Sequence, residues 1–322
     1  MIHNSIHIPV LLKEVITVLD PKPGEFFIDG TVGNGGHSVA ILEKIEPKGI
    51  LLGTDLDEMT LQKAKEKIAA NSKLILVRSN YADLPEILEK LRRSDLSSEV
   101  GAPTEASGEK LPKADGLLLD LGFSSEQLIA GRGFSFSGPE EPLLMTYDRY
   151  AVPVKSLIKQ LKEFELAEII KEFGEEHRAK RIAYAIKHNR FPIETNKQLA
   201  EVVAKALPRN YERGRIHPAT RTFLALRIYA NQELDNLKKL LDSSERILKI
   251  GGRIAIISFN SLEDRIVKNY FREKSKEGKI EILTKKPISP SIEEIKQNPR
   301  SRSAKLRAAK IINYDNNPTS QK

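Results

Sequence analysis

A mostly parallel α/β sheet interrupted by an all-helical insertion is the fold this sequence predicts, and three observations carry it. Four short apolar runs, FFID (26–29), ILLGTD (50–55), LILV (74–77) and GLLLD (116–120), alternate with helical patterns near 36–45, 57–70 and 83–93. From about 151 to 217 the pattern is helix after helix, with no strand-like run. Alternation then resumes at GGRIAIISF (251–259). Strands that alternate with helices need crossover connections, which place them parallel and cover the sheet on both faces.

Taken in order, MIHNSIHIPVLLKEVITVL reads as a short amphipathic helix without the basic start and cleavage site of a secretory signal. The helix over 57–70 is marked by Leu61, Ala64 and Ile68 on one face. Residues 94–113, rich in Ser, Gly, Pro and Glu, read as a surface loop before the fourth strand. Helical patterns follow at 153–161, 165–173, 175–190 and 195–206. A long helix over 218–249 with a break near 233 leads into the fifth strand. A helix over 261–275, the segment KIEILTKK and a last strand at 306–312 close the chain. The expected division is a discontinuous α/β domain, 1–132 with 218–322, and a helical insertion over 133–217.

Of the 322 residues, 40% are hydrophobic and 30% charged, and there is no cysteine. That excludes a disulfide framework, a thiolate metal site and a cysteine nucleophile. No apolar run approaches the roughly 20 residues of a membrane span, so a cytoplasmic protein is expected. Net charge is +8, and the segment from Arg265 to Lys310 holds 14 Lys or Arg against 5 acids, an excess of +9. The remainder is therefore near neutral. Clustered positive charge suits a polyanion, although a solvated basic surface gives the same count.

The segment FFIDGTVGNGGHS is a strand, a glycine-rich turn and a helix start, with glycines at 30, 33, 35 and 36. Such a turn lets backbone approach a ligand closely. The next strand ends in Asp55, 22 residues after Gly33, a spacing that suits a carboxylate bonded to ribose hydroxyls. An exposed acid at a strand end is the alternative. The order G-N-G-G-H departs from the G-x-G-x-x-G pyrophosphate fingerprint, and no G-K-[ST] follows it. Asp29 at the end of the first strand suits a sulfonium and an amino-acid moiety. These features favour S-adenosylmethionine (SAM) over NAD or ATP. Tyr81 is placed either against the adenine or in the core.

Asp120 ends the fourth strand and is aimed at the carboxyl edge of the sheet, where ligands of open α/β sheets bind. Ser124 or Ser125 reads as a helix cap, and Gln127 lies one turn on, within reach of the cofactor. Arg132, Phe134 and Phe136 read either as a base-stacking group or as a hydrophobic hinge into the insertion. Arg209, Arg213, Arg215, His217 and Arg221 form a basic strip for phosphates or a solvated loop. Asn260 and Ser261 follow the fifth strand, and Ser261 with Asp264 is spaced as a capping box.

IPVLLKEVI, DGTVGNGGHS, DLGFSSEQL, RGFSF, GEEHRAKRIA, HPATRTFLALRI, GGRIAIISFNSLEDRIVK and NPRSRSAKLR, in order from about Ile8 to Leu306, resemble the signature segments of the bacterial 16S rRNA cytosine-N4 methyltransferase family (MraW/RsmH). The resemblance implies a class I SAM-dependent methyltransferase fold, Rossmann-like, with an antiparallel last strand and an inserted helical domain that recognises substrate. It implies N4-methylation of a cytidine in the decoding centre of the small ribosomal subunit. The SAM contacts it implies are Gly35, Gly36 and His37, then Asp55, Tyr81, Asp120 and Gln127, beside Asp29 and Gly33 in the same turn. Substrate contacts are expected from Arg132, Phe134, Phe136, Arg215, His217 and Arg221. No metal is required, because a sulfonium methyl is already activated. Asp120 is the expected acceptor for the cytosine amine, with Asn260 a second. Two positions depart from the family pattern. PLLMTYD stands where PLDMRMD is usual, and Asn260 stands where His is usual. An assembly or RNA-binding factor without turnover stays open as an alternative, as does a homodimer. A DNA amino-methyltransferase ranks lower, because DLGF replaces the D/N/S-P-P-Y/F motif.

Overall fold

A computed structural model describes residues 9–68, 73–92, 111–122, 131–209, 211 and 216–314. The seven strands are β1 (Phe26–Asp29), β2 (Ile50–Asp55), β3 (Leu74–Arg78), β4 (Ala114–Asp120), β5 (Leu248–Ser258), β6 (Ile280–Ile282) and β7 (Lys305–Ile311). They form one sheet in the order β3-β2-β1-β4-β5-β7-β6. The first five are parallel, and β7 runs antiparallel to both β5 and β6. The order reverses between β1 and β4, so the carboxyl ends of these two strands flank the switch point, where ligands of open α/β sheets bind.

The apolar runs are continuous because both faces are covered. Phe26 and Ile28 of β1 enter one core cluster with Leu117 and Leu119 of β4, while Phe27 and Leu118 enter the opposite one. Among the described residues no helix is long and apolar enough to cross a membrane.

The chain divides into two compact units, Met1–Gly122 with Leu234–Lys322, and Phe123–Glu233. The helical unit is therefore larger than the expected 133–217. The reason lies in the helix Thr220–Ala230, whose Phe223 and Leu226 are buried in the helical core with Leu166 and Ile170 of the helix Glu163–Gly174. The expected long helix over 218–249 is three pieces, Thr220–Ala230, Glu233–Asp242 and Ser244–Ile247. Gln232 at the first break has φ 51°, and the chain turns so that buried Arg227 meets Glu233 in two hydrogen bonds of 2.8 and 2.9 Å. Tyr147 donates a third to Glu233 at 2.8 Å. The fifth strand starts at Leu248 rather than Gly251. Its register on β4 shifts between Ala114 and Gly116, and Gly251 absorbs the irregularity at φ 85°. The helix expected over 175–190 spans Ala179–Lys187, because Glu175 at φ 50° ends the preceding helix.

Candidate active site at the switch point

The end of β1 and the turn after it are tied together by one buried carboxylate. Asp29 accepts from the Thr31 amide at 3.1 Å and from the Ser38 hydroxyl at 2.6 Å. Thr31 in turn accepts at its hydroxyl from the Asp120 amide at 2.6 Å, so one side chain joins the ends of β1 and β4. Gly33 and Gly35, at φ 50° and 71°, carry the turn into the helix Gly36–Ile45, whose N-terminus has no side-chain cap. At Gly36 a Cβ would strike the ring of Pro9, so the segment before the first helix packs on the turn through the missing side chain. Uncapped first-turn amides are a place for a ligand's anionic group.

Asp55, at the end of β2, accepts from the amides of Gly33 at 3.0 Å and Asp57 at 2.9 Å. The 22-residue spacing read from the sequence is thus a direct contact between the strand end and the glycine turn. Two amides leave acceptor capacity on the carboxylate for hydroxyl donors. Tyr81 begins a short 3-10 helix after β3 and packs, half-buried, against the core on the Leu119 side of the sheet. Its Cβ lies beside Gly30, at the turn that follows β1.

Asp120 is the most perturbed group of the site. Its Oδ1 is buried and has no hydrogen-bond partner, and its Oδ2 lies 3.7 Å from Nδ1 of His37. Burial pushes its pKa up to about 8, and the charges of Asp29 and Glu263 push in the same direction. Burial likewise raises Asp29 and Asp55 to about 6 each, against the opposing hydrogen bonds from Ser38 and Thr31, and from Asp57 and Gly33. Three carboxylates at the ends of adjacent parallel strands are therefore starved of positive charge. His37 does not relieve this as a double donor to the site. Its Nε2 sits 2.9 Å from the Val10 carbonyl, which only a protonated Nε2 satisfies, so in the neutral ring Nδ1 faces Asp120 as an acceptor. Among the described residues no group of three or more His, Cys, Asp or Glu is arranged to hold a metal ion.

Asn260 follows β5 and is the N-cap of the helix Ser261–Lys276. Its Oδ1 accepts from the amides of Leu262 and Glu263, both at 3.0 Å, which fixes the amide orientation and leaves Nδ2 buried without a partner. The capping box is Asn260 with Glu263, one residue earlier than the Ser261–Asp264 pair expected. Asp264 is instead held by Arg307 at 2.7 Å. Asn260 has no acceptor to offer a substrate amine, only a donor.

The structure does not bring all of the expected substrate residues to a surface. Phe134 is buried in the helical core and stacks on Tyr147 with centroids 5.7 Å apart, so it packs the core and offers no exposed face to a base. Phe136 is half-buried and stacks on His217 at 4.4 Å, with Phe223 at its edge. Arg132 donates to the carbonyls of Thr146 and Tyr147, and Arg221 to the carbonyl of Glu175. Both guanidinium groups thus clip backbone within the helical unit. Gln127, Arg213, Arg215, Ser124 and Ser125 lie outside the described residues.

Sequence reasoning did not single out Ser38, Thr31 or Glu263. For Glu263 the signal was present, since Asn-x-x-Glu before an apolar helix face is a capping box. For Ser38 and Thr31 nothing but the fold reveals which carboxylate each meets. Ser38→Ala is expected to cost about 1–3 kcal/mol, because a buried carboxylate loses its shortest donor. The midpoint of urea unfolding checks this, and an unchanged midpoint contradicts it.

The MraW methylase family matches residues 4–312 of the chain. A ribosomal RNA small subunit methyltransferase H from Thermotoga neapolitana is 45% identical over 96% of this chain and 97% of its own. Proteins of the same name from Syntrophus aciditrophicus and Persephonella marina are each 43% identical, over 96% and 95% of this chain and 98% and 99% of theirs.

Proposed function

The chain belongs to the MraW methylase family, and from that membership we propose that it methylates the exocyclic N4 of a cytidine in the decoding centre of 16S rRNA. The protein is a SAM-dependent rRNA methyltransferase. Its substrate in this reading is RNA within the small ribosomal subunit, met in the cytoplasm, with the helical unit serving recognition. The observation that carries the reading is the pair of complementary orphan atoms at neighbouring strand ends: a buried acceptor on Asp120 and a buried donor on Asn260. Buried polar groups without partners are rare, and at a strand-end site each is a place for a ligand's or an ordered water's complementary atom. Cytosine offers a donor at N4 and an acceptor at N3 or O2, the pattern that satisfies both. Uracil offers an acceptor at O4, so it meets Asp120 with its like, and a donor at N3, which opposes the Asn260 donor where that donor is directed to N3.

The residues present fit the methyl donor. Asp29, Asp55 and Asp120 supply negative charge for a sulfonium and an ammonium, the uncapped helix start supplies amides for a carboxylate, and Asp55 has capacity for ribose hydroxyls. When bound, SAM supplies an electrophilic methyl group. The protein's own tasks are orientation and proton removal. The N4 lone pair is delocalised into the ring, so the nitrogen must be held with its p orbital toward the methyl carbon. Asp120 accepts one N4–H and fixes that orientation. The proton that leaves N4 once the N–C bond has formed and the C–S bond has broken passes to the same carboxylate. Asn260 fixes the ring at the acceptor beside N4 on the same edge, and the base must leave any stack to reach them.

The test is nucleoside analysis of small-subunit RNA after incubation of undermethylated subunits with the protein and labelled SAM. N4-methylated cytidine carrying the label is expected. Tight subunit binding with no transferred label would support an assembly factor instead.

A further inference from the structure

The helix Ala179–Lys187 is amphipathic in an uncommon way. Its inner face, Ala179, Ile182, Ala183 and Ile186, is buried in the helical core. Its outer face carries Lys180, Arg181, Tyr184 and then His188, all exposed. Tyr184 and Phe191, in the turn just beyond, leave 57% and 67% of their surface to solvent. The rings are arranged rather than scattered. Tyr184 and His188 are stacked with centroids 4.1 Å apart and planes 22° from parallel. The Arg190 guanidinium lies 5.3 Å from the centre of Phe191. A concavity beside them is lined by His188, Asn189, Phe191, Gln198 and Lys205.

The charge around these rings is positive. Between 178 and 205 the chain has seven Lys or Arg against two acids. Both acids are occupied, Glu194 by Lys155 and Lys159, and Glu201 by Lys205. A further acid beside the patch is Glu163, 3.4 Å from His188.

We infer that this face is a second RNA-contact surface, on which Tyr184, His188 and Phe191 stack unpaired bases while Arg181 and Arg190 hold the phosphates between them. Interleaved rings and cations are the composition that binds single strands, because every base has a π-face and every linkage a charge. A duplex would use the cations and leave the rings idle. The inference rests on the proposed RNA substrate and adds to it a docking surface built entirely within the helical unit.

The test is fluorescence anisotropy of a labelled 12-nucleotide uridine-rich RNA with the full-length protein. Tyr184→Ala combined with Phe191→Ala is expected to weaken binding about tenfold or more, given the usual contribution of one base stacked on an aromatic ring. Tyr184→Phe combined with Phe191→Tyr should bind as the wild type does. Arg181→Gln combined with Arg190→Gln should flatten the dependence of log affinity on log salt by about one to two. Equal binding by the double alanine variant overturns the inference, provided its melting temperature matches the wild type. So does loss of self-association, or of binding to phosphatidylglycerol vesicles, in that variant with RNA affinity unchanged. SAM affinity and N4-methylation by the wild type are measured separately, so a failed methylation assay leaves the anisotropy result to stand or fall by itself.

Discussion

Asp120→Asn is expected to reduce methyl transfer at least about 10²–10³-fold, the usual loss when one preorganised electrostatic group is removed from an active site, and to make the ligand-free protein more stable at pH 8–9. The two effects have one cause. A carboxylate with a buried, unpartnered oxygen beside Asp29 and Glu263 is held at a cost to folding. Its pKa is 3.8 ordinarily and about 8 in the folded protein, so between those values the folded state keeps a proton that the unfolded state has lost. Stability therefore falls as pH rises through that window and is flat above it. Each unit is worth about 1.4 kcal/mol, so the full span is on the order of a few kcal/mol. Asparagine removes this part of the slope. Melting temperatures at pH 5 and pH 9 should differ less in the variant than in the wild type. The catalytic prediction has a pH signature of its own. The ionised carboxylate is the working form, so kcat/KM of the wild type should rise with pH and level off above about 8. Near-normal turnover in the variant would remove Asp120 from proton transfer.

The second large effect is expected at Asn260, where two substitutions separate capping from recognition. Asn260→Ser keeps an N-cap acceptor of similar quality, so stability should change little. Only the Nδ2 donor is lost, and a loss of about tenfold in kcat/KM is expected, the cost of one hydrogen bond to substrate. Asn260→Asp caps equally well, yet it puts an acceptor where the ring presents one and adds a negative charge near Asp120. Here about 100-fold or more is expected, with thermal stability again preserved. If both variants melt early and lose activity in proportion, the side chain is only a cap. If Asn260→Ser is fully active, the buried Nδ2 has no substrate partner.

These predictions depend on details that differ in how far the sequence reveals them. The strands were legible because β1 and β4 are buried on both faces, so FFID and GLLLD are unbroken apolar runs that only a covered parallel sheet explains. Asp55 was legible because a fixed spacing after the glycine turn reflects a fixed distance, here the 3.0 Å bond to the Gly33 amide. The cap was missed by one residue, since Asn260, Ser261 and their partners three residues on all have capping chemistry, and only backbone geometry chooses among them. Phe134 and Phe136 are two residues apart and chemically alike. Which is buried depends on Tyr147 and His217, far away in sequence. The extent of the helical unit was hidden for a similar reason. An apolar stripe on the helix Thr220–Ala230 says that it packs, not which core it packs into. The raised pKa values of the three carboxylates follow from burial, which no local pattern encodes.

We propose that the three charge-starved carboxylates at the ends of β1, β2 and β4 hold a cationic ligand. Calorimetric titration with SAM and with S-adenosylhomocysteine at pH 6 and pH 9 tests it directly, since the two differ by the sulfonium charge and its methyl and share every other ionisable group. The ratio of their affinities should move in favour of SAM at pH 9, where Asp29, Asp55 and Asp120 are ionised, and Asp120→Asn should shrink that movement. A ratio that is the same at both pH values, or indifferent to Asp120→Asn, would contradict the account.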